Sequence, residues 1–183
     1  MLARENNRRY LFFAIGKGKL EMVRCQLRPG APHTEATIQE ALLRAIDGLV
    51  GSNLIDGNDD AAERAQVVEV LLDSPQCTEQ AVQAAFEEVF VAIDDPKINK
   101  QEEALELKRQ VLKDVVKELV ECRHCSETCL QALLKDAVVR QNTDVVKIIL
   151  ASGRCTKDIL NVGLDGLNNL DNAVHNGLDK VED

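Results

Sequence analysis

Apolar residues recur along this chain at intervals of three and four, the spacing that places side chains on one face of an α-helix. One such stretch occurs four times, each copy beginning near a Ser or Thr and carrying Gln or Asn between apolar residues. Such repetition is typical of stacked arrays of similar units, which favours a binding scaffold over a self-contained catalyst. The copies read HTEATIQEAL at His33–Leu42, CTEQAVQAAF at Cys77–Phe86, CSETCLQALL at Cys125–Leu134 and CTKDILNVGL at Cys155–Leu164.

Each copy predicts the start of a helix, here called helix A. Its hydroxyl residue is Thr34, Thr78, Ser126 or Thr156, and such residues cap the unpaired N–H groups of a first helical turn. A second predicted helix, helix B, precedes each copy and carries two adjacent apolar residues, which are paired valines in the last three units. We expect these pairs to form a buried stripe. The B segments are LEMVRCQL from Leu20, QVVEVLL from Gln66, DVVKELV from Asp114 and DVVKIIL from Asp144.

The spacing between helices supports a true repeat. From each B-helix pair to the next A-helix apolar position, the distance is 20, 19, 19 and 19 residues. From helix A to helix B it is 11 residues in the first and fourth units but 25 and 29 in the second and third. The two middle units therefore carry insertions of 14 and 18 residues between their helices.

The two uninterrupted helix pairs, Leu11–Leu27 and Leu133–Leu150, resemble the helix pair of ankyrin repeats. That family has L-x-x-A followed by G-x-x-[DE]-V-V-K-x-L-L, and Gln141 stands where its turn glycine would fall. The link between successive units is two or three residues shorter than an ankyrin unit of about 33 residues allows, and no copy has the T-P-L-H signature. We expect the projecting hairpins to be absent or reduced to tight turns, and a generic helical-hairpin array remains an alternative. The matching residues are Leu11, Ala14, Gly18, Glu21, Val23 and Arg24 in the first pair, and Leu134, Ala137, Asp144, Val145, Val146 and Lys147 in the other.

The predicted fold is thus all-α, a solenoid of four to five stacked ankyrin-like helix pairs in a single domain, 1–183. The predicted units are approximately 8–30, 31–75, 76–122, 123–153 and 154–183. The last begins a fifth helix A at Leu164 and then loses the pattern. It is either a polar capping unit or the point at which a longer array is cut.

Composition narrows the class of partner. The net charge of −9 argues against nucleic acid and favours a protein with a basic surface. No apolar run approaches the roughly 18 residues of a membrane span, and the first residues do not resemble a signal peptide. Six cysteines in a chain of 183 residues indicate reduced thiols, so we expect a cytoplasmic protein, in its own cell or delivered into a host cell.

The insertions, roughly Asp47–Ala65 and Asp94–Lys108, are the parts that the units do not share. The second also predicts a helix B extended by several turns. Insertions in repeat arrays map to one face, often a binding face, although lengthened loops are also tolerated as decoration. We expect no cofactor and no catalytic residues. The candidate partner-binding residues are Asp56, Asp59, Asp60, Glu63, Asp94, Asp95, Glu102 and Glu103.

Two other features have competing interpretations. Cys122, Cys125 and Cys129 have ligand-like spacing around His124, but packing of a small side chain before the helix cap is favoured over zinc. At the N-terminus, Tyr10, Phe12 and Phe13 are expected to cover the free end of the array, the alternative being a docking patch for a partner.

The sequence therefore predicts a protein-interaction scaffold or adaptor that binds through its acidic insertions and exposed A-helix positions. Its diverged repeats are compatible with host-directed effectors of intracellular pathogens, by analogy. The alternatives are an accessory repeat module of a larger enzyme and the zinc-stabilised fold.

Overall fold

The computed structural model describes residues 2–51, 60–94, 103–159 and 161. Every regular element in these residues is an α-helix, as the apolar spacing predicts. Residues 157–159 are also helical. The helices are α1 (Leu2–Gly16), α2 (Leu20–Gln26), α3 (Glu35–Gly51), α4 (Asp60–Leu72), α5 (Glu79–Ile93), α6 (Glu103–Glu121), α7 (Glu127–Val139) and α8 (Thr143–Ala151).

Hydroxyl caps begin three of the A helices. The side-chain oxygens of Thr34, Thr78 and Ser126 each accept a hydrogen bond from the backbone N–H three residues later, at 3.1–3.2 Å. A glutamate follows each cap, where its charge complements the positive end of the helix dipole. The predicted starts of α3, α5 and α7 are therefore confirmed.

The chain divides into two compact units, Met1–His124 and Cys125–Asp183. In the first unit, the A helices α1, α3 and α5 pack successively on one another, and so do the B helices α2, α4 and α6. Each A helix also packs on the B helix that follows it. The first unit therefore has two rows of three helices with its apolar core between them.

The paired valines face this core. Val67, Val68, Val115 and Val116 are at most 1% exposed, which confirms the predicted stripe in the second and third pairs. The first pair departs from it, because Met22 is 42% exposed. Large side chains complete the core within α5, where the ring centroids of Phe86 and Phe90 lie 6.1 Å apart.

In the second compact unit, α7 packs on α8 and the helices are joined by a tight turn. The N–H of Gln141 donates to the carbonyl of Val138, and the N–H of Asn142 donates to that of Ala137, at 3.0 and 2.9 Å. These are the two bonds of a Schellman motif, which requires left-handed backbone at its central residue. Gln141 accordingly has φ +58°.

The turn between α1 and α2 repeats this arrangement bond for bond. Gly18 donates to Ile15 and Lys19 donates to Ala14, both at 2.9 Å, and Gly18 has φ +62°. The predicted correspondence between Gly18 and Gln141 is therefore confirmed by the backbone. The first and fourth helix pairs share one turn, built with glycine in one and glutamine in the other.

The insertions differ in part from the irregular loops that were expected. Helix α3 continues through Asp47 to Gly51, and α4 already begins at Asp60, so helices occupy both ends of the first insertion. Helix α6 begins at Glu103, which confirms that the second insertion lengthens helix B. Additional helical turns satisfy backbone hydrogen bonds internally, which an irregular loop of the same length cannot do.

Candidate functional site

The candidate partner-binding residues lie in and around the two insertions. Asp60 is the first residue of α4, and Glu63 is partly exposed one turn later. Asp94 is exposed and is the C-cap residue of α5, while Glu103 begins α6. Four further candidates, Asp56, Asp59, Asp95 and Glu102, lie outside the described residues.

The helices that carry the insertions are tied to each other. The Lys108 ammonium of α6 donates to the carbonyl of Val50 in the last turn of α3. A cation is favourable at this position because the C-terminal end of a helix dipole is negative. Arg64 of α4 lies against the same end of α3, and a Cβ added at Gly48 would meet its Nη1 at 3.0 Å. The described helix ends that border the two insertions therefore meet at one edge of the first compact unit.

An acidic groove opens at the other end of the B helices, between the last turns of α4 and α6. Its cavity is about 280 Å³. Four carboxylates line it together with Leu72, Cys122 and Arg123. Two of the carboxylates belong to α4 and the residue that follows it, and the other two belong to α6. The carboxylates are Glu69 and Asp73 from the second helix pair and Glu118 and Glu121 from the third.

The groove concentrates negative charge. Partial burial raises the pKa of the Glu118 carboxyl above its ordinary value, and the neighbouring carboxylates of Glu69 and Glu121 raise it further. Arg123 partly compensates and closes one side, since its Nη2 donates to the carbonyl of Asp73 at 2.6 Å. A cation entering the groove would relieve the repulsion among these carboxylates.

Sequence reasoning missed this groove, although one signal was present. Asp73 and Glu121 each stand six residues after the first valine of their pair, so they occupy the same repeat position. The packing of α4 on α6 places equivalent positions of successive B helices close together. A column of like charge at one repeat position therefore predicts a charged groove.

A basic cluster joins the exposed sides of the first two A helices. Arg8 of α1 and Arg44 of α3 both hydrogen-bond Glu40, at 2.5 and 2.9 Å, and both guanidinium groups lie over the Phe12 ring. Partial burial opposes ionisation of Glu40, but the two arginines outweigh it and lower the pKa of its carboxyl. Phe12 therefore has a packing role between helices.

Two of the three cysteines at the shared repeat position, Cys77 and Cys125, are at most 3% exposed, which agrees with a packing role, whereas the third, Cys155, is partly exposed. Cys129, one turn into α7, is also buried. Burial, with the adjacent Cys122 thiol, raises the pKa of Cys77 to about 11, so this thiol stays protonated at neutral pH. His33, which replaces cysteine in the first copy, is buried with its Nε2 3.0 Å from the Gln26 carbonyl.

The zinc alternative at Cys122, Cys125 and Cys129 gains no support from the structure. In the part of the chain that it describes, no three His, Cys, Asp or Glu side chains are grouped so that they could hold a metal ion.

Comparisons of this chain with models of known protein families, with curated proteins and with solved structures give no match. Among the helices described above, none has the length and apolar character needed to cross a bilayer.

Proposed function

We propose that this chain is a protein-binding scaffold, a solenoid of ankyrin-like helix pairs whose partner has a basic surface. The observation that carries the proposal is the acidic groove, where successive helix pairs jointly present Glu69, Asp73, Glu118 and Glu121 around an open cavity. Lys or Arg side chains of a partner would enter it with favourable electrostatics and lower the pKa of Glu118.

The acidic insertions form the second part of the proposed contact surface. Two of their flanking helices, α3 and α6, meet where the Lys108 ammonium donates to the Val50 carbonyl, so described residues of both insertions lie at one edge. Candidate residues from both insertions, such as Glu63 and Asp94, can then contact the same partner. Several weak charged contacts on one rigid array bind together more tightly than any one of them.

The test compares capture of binding proteins from a lysate by wild-type protein and by three variants. One variant trims both insertions to the 11-residue spacing of the first and fourth pairs. A groove variant carries Glu118→Gln and Glu121→Gln. The control carries Glu87→Gln and Glu88→Gln, which removes the same charge from exposed positions of α5.

We expect a set of basic proteins that wild type and the control retain and that the trimmed and groove variants lose. Capture should weaken steeply with salt, because exposed ion pairs are screened beyond about 10 Å at 0.1 M ionic strength. Equal capture by all four proteins would refute both parts of the proposed surface.

A further inference from the structure

Apolar side chains are exposed on the outer side of the first helix pair. Tyr10 and Phe13 of α1 are 60% and 56% exposed, and Met22 of α2 is 42% exposed. These three residues are called the outer patch. Tyr10, Phe13 and the exposed Lys17 are spaced i, i+3 and i+7, so they share one stripe of α1.

Two of these repeat positions, those of Tyr10 and Met22, are buried in the next two helix pairs. Tyr10 occupies the same repeat position as Ala41 and Ala85, which are both 0% exposed. Met22 occupies the same repeat position as Val67 and Val115, which are both 1% exposed. In those pairs the A and B helices pack on the preceding A and B helices. Tyr10 and Met22 therefore lie on the side of the first helix pair that, in the later pairs, is covered by neighbouring helices.

Phe13 is a separate departure from the repeat. The equivalent residues are Arg44 in α3 and Glu88 in α5, both exposed and charged. Stacking of units thus requires no apolar residue at this position, and Phe12 already makes the contact with the second pair. Phe13 therefore extends the apolar surface of the first helix pair into solvent.

The segment of sequence that carries the patch has a net charge opposite to that of the remaining chain. The first 30 residues hold seven Lys or Arg and two Asp or Glu, a net charge of +5. The remaining residues hold 15 Lys or Arg and 29 Asp or Glu, a net charge of −14. Lys17 and Lys19, which follow Phe13 closely in sequence, are both exposed. A complementary partner therefore carries negative charge.

The size of the patch fits one helix. An aromatic side chain buries about 150–250 Å², so the exposed parts of Tyr10 and Phe13 together offer roughly 200 Å². A partner in a standard dimer contributes about 800 Å², so this patch is small for a second copy of the chain. The chain's own first pair is also basic, which opposes a symmetric contact between two such ends. A single amphipathic helix docks through a few apolar anchor residues, so it requires a smaller surface than a second copy does.

We infer that the outer patch docks an amphipathic helix of another protein, one that carries Asp and Glu beside its apolar stripe. This surface is separate from the acidic groove and insertions and takes a partner of the opposite charge. Tyr10 and Phe13 supply the apolar contact, and Lys17 pairs with the carboxylates of the incoming helix.

The test is selection of displayed helical peptides of roughly 20 residues on the immobilised full chain. Their apolar stripe is constant, and each flanking position is encoded as an equal mixture of Glu and Lys. We expect Glu-rich sequences to be enriched. A synthetic peptide of the winning sequence should then bind Tyr10→Ser/Phe13→Ser protein at least about tenfold more weakly than wild type, and Val91→Ser, an equally exposed apolar site on α5, should leave binding unchanged.

Lys17→Glu provides a second variant that leaves the apolar residues in place. It should weaken the Glu-rich peptide and strengthen the same peptide with Lys in place of Glu. Enrichment of Lys-rich or mixed sequences, or equal binding to the double serine variant, would overturn the inference. So would concentration-dependent self-association in sedimentation that the double variant abolishes, because the occupant would then be a second copy.

Discussion

The shared turn of the first and fourth helix pairs permits one substitution with a predictable sign, Gln141→Gly. Gln141 has φ +58°, and left-handed backbone costs a residue with a Cβ about 1–2 kcal/mol. Glycine removes this strain but loses about 0.4–1 kcal/mol through the greater freedom of the unfolded chain. The side chain of Gln141 is exposed, so little packing is lost. The net expectation is stabilisation by roughly 0.5–1 kcal/mol.

The assay is urea unfolding followed by circular dichroism. With a slope of about 2 kcal/mol per molar urea, the midpoint should rise by about 0.2–0.5 M. The matched control is Gln131→Gly, the same chemical change within α7, where helical φ gives glycine no advantage. That variant should be destabilised by about 1 kcal/mol. If both substitutions move the midpoint in the same direction, the left-handed turn does not control the stability of this pair.

Three further outcomes follow from local contacts. The Lys19 side chain makes no capping hydrogen bond at the start of α2, whereas at the equivalent position before α8 the Asn142 side chain accepts from the N–H of Val145 at 3.1 Å. Lys19→Asn should therefore raise the free energy of unfolding by about 0.5–1 kcal/mol. An unchanged urea midpoint would contradict this. Glu40→Gln should destabilise by up to about 1 kcal/mol at pH 7. Because the folded pKa of Glu40 is lowered, the ion-pair contribution is present above the unfolded value of about 4.3 and is lost as pH falls through the folded value. The difference between the two proteins should therefore shrink as the pH is lowered below about 4. Finally, a thiol reagent at pH 8 should label the exposed Cys25 well before the buried Cys77, because the pKa of Cys77 is raised to about 11. The labelling rates are measured by mass spectrometry of the labelled peptides. Equal rates at the two cysteines would refute the buried, protonated state of Cys77.

The helices and many of their ends could be predicted from the sequence because their causes are local. A cap such as Thr78 bonds a backbone group three residues away, and the apolar spacing repeats within each turn. The shared turn was also readable, since Gly18 and Gln141 occupy the same position in two similar pairs. These interactions join residues within five positions of each other, so they depend little on how the helices pack.

The candidate site was only partly predictable. The acidic insertions were visible as interruptions of the repeat, and so was the lengthened helix B of the second. The helical ends of the first insertion were not separated from loops, because short polar helices have weak apolar periodicity. The groove was missed because it joins residues far apart in sequence. Asp73 and Glu121 come within one cavity only when α4 and α6 pack side by side.

The sequence by itself determined an all-helical chain, the pairing of its helices along the repeat, the buried valine stripe and an excess of negative charge. Only the tertiary structure decided which of Tyr10, Phe12 and Phe13 packs against a neighbouring helix. The guanidinium groups of Arg8 and Arg44 both lie over the Phe12 ring, while Tyr10 and Phe13 are exposed to solvent. The physical reason is that helical periodicity gives the relative directions of side chains on one helix, whereas burial depends on whether a neighbouring helix covers that direction.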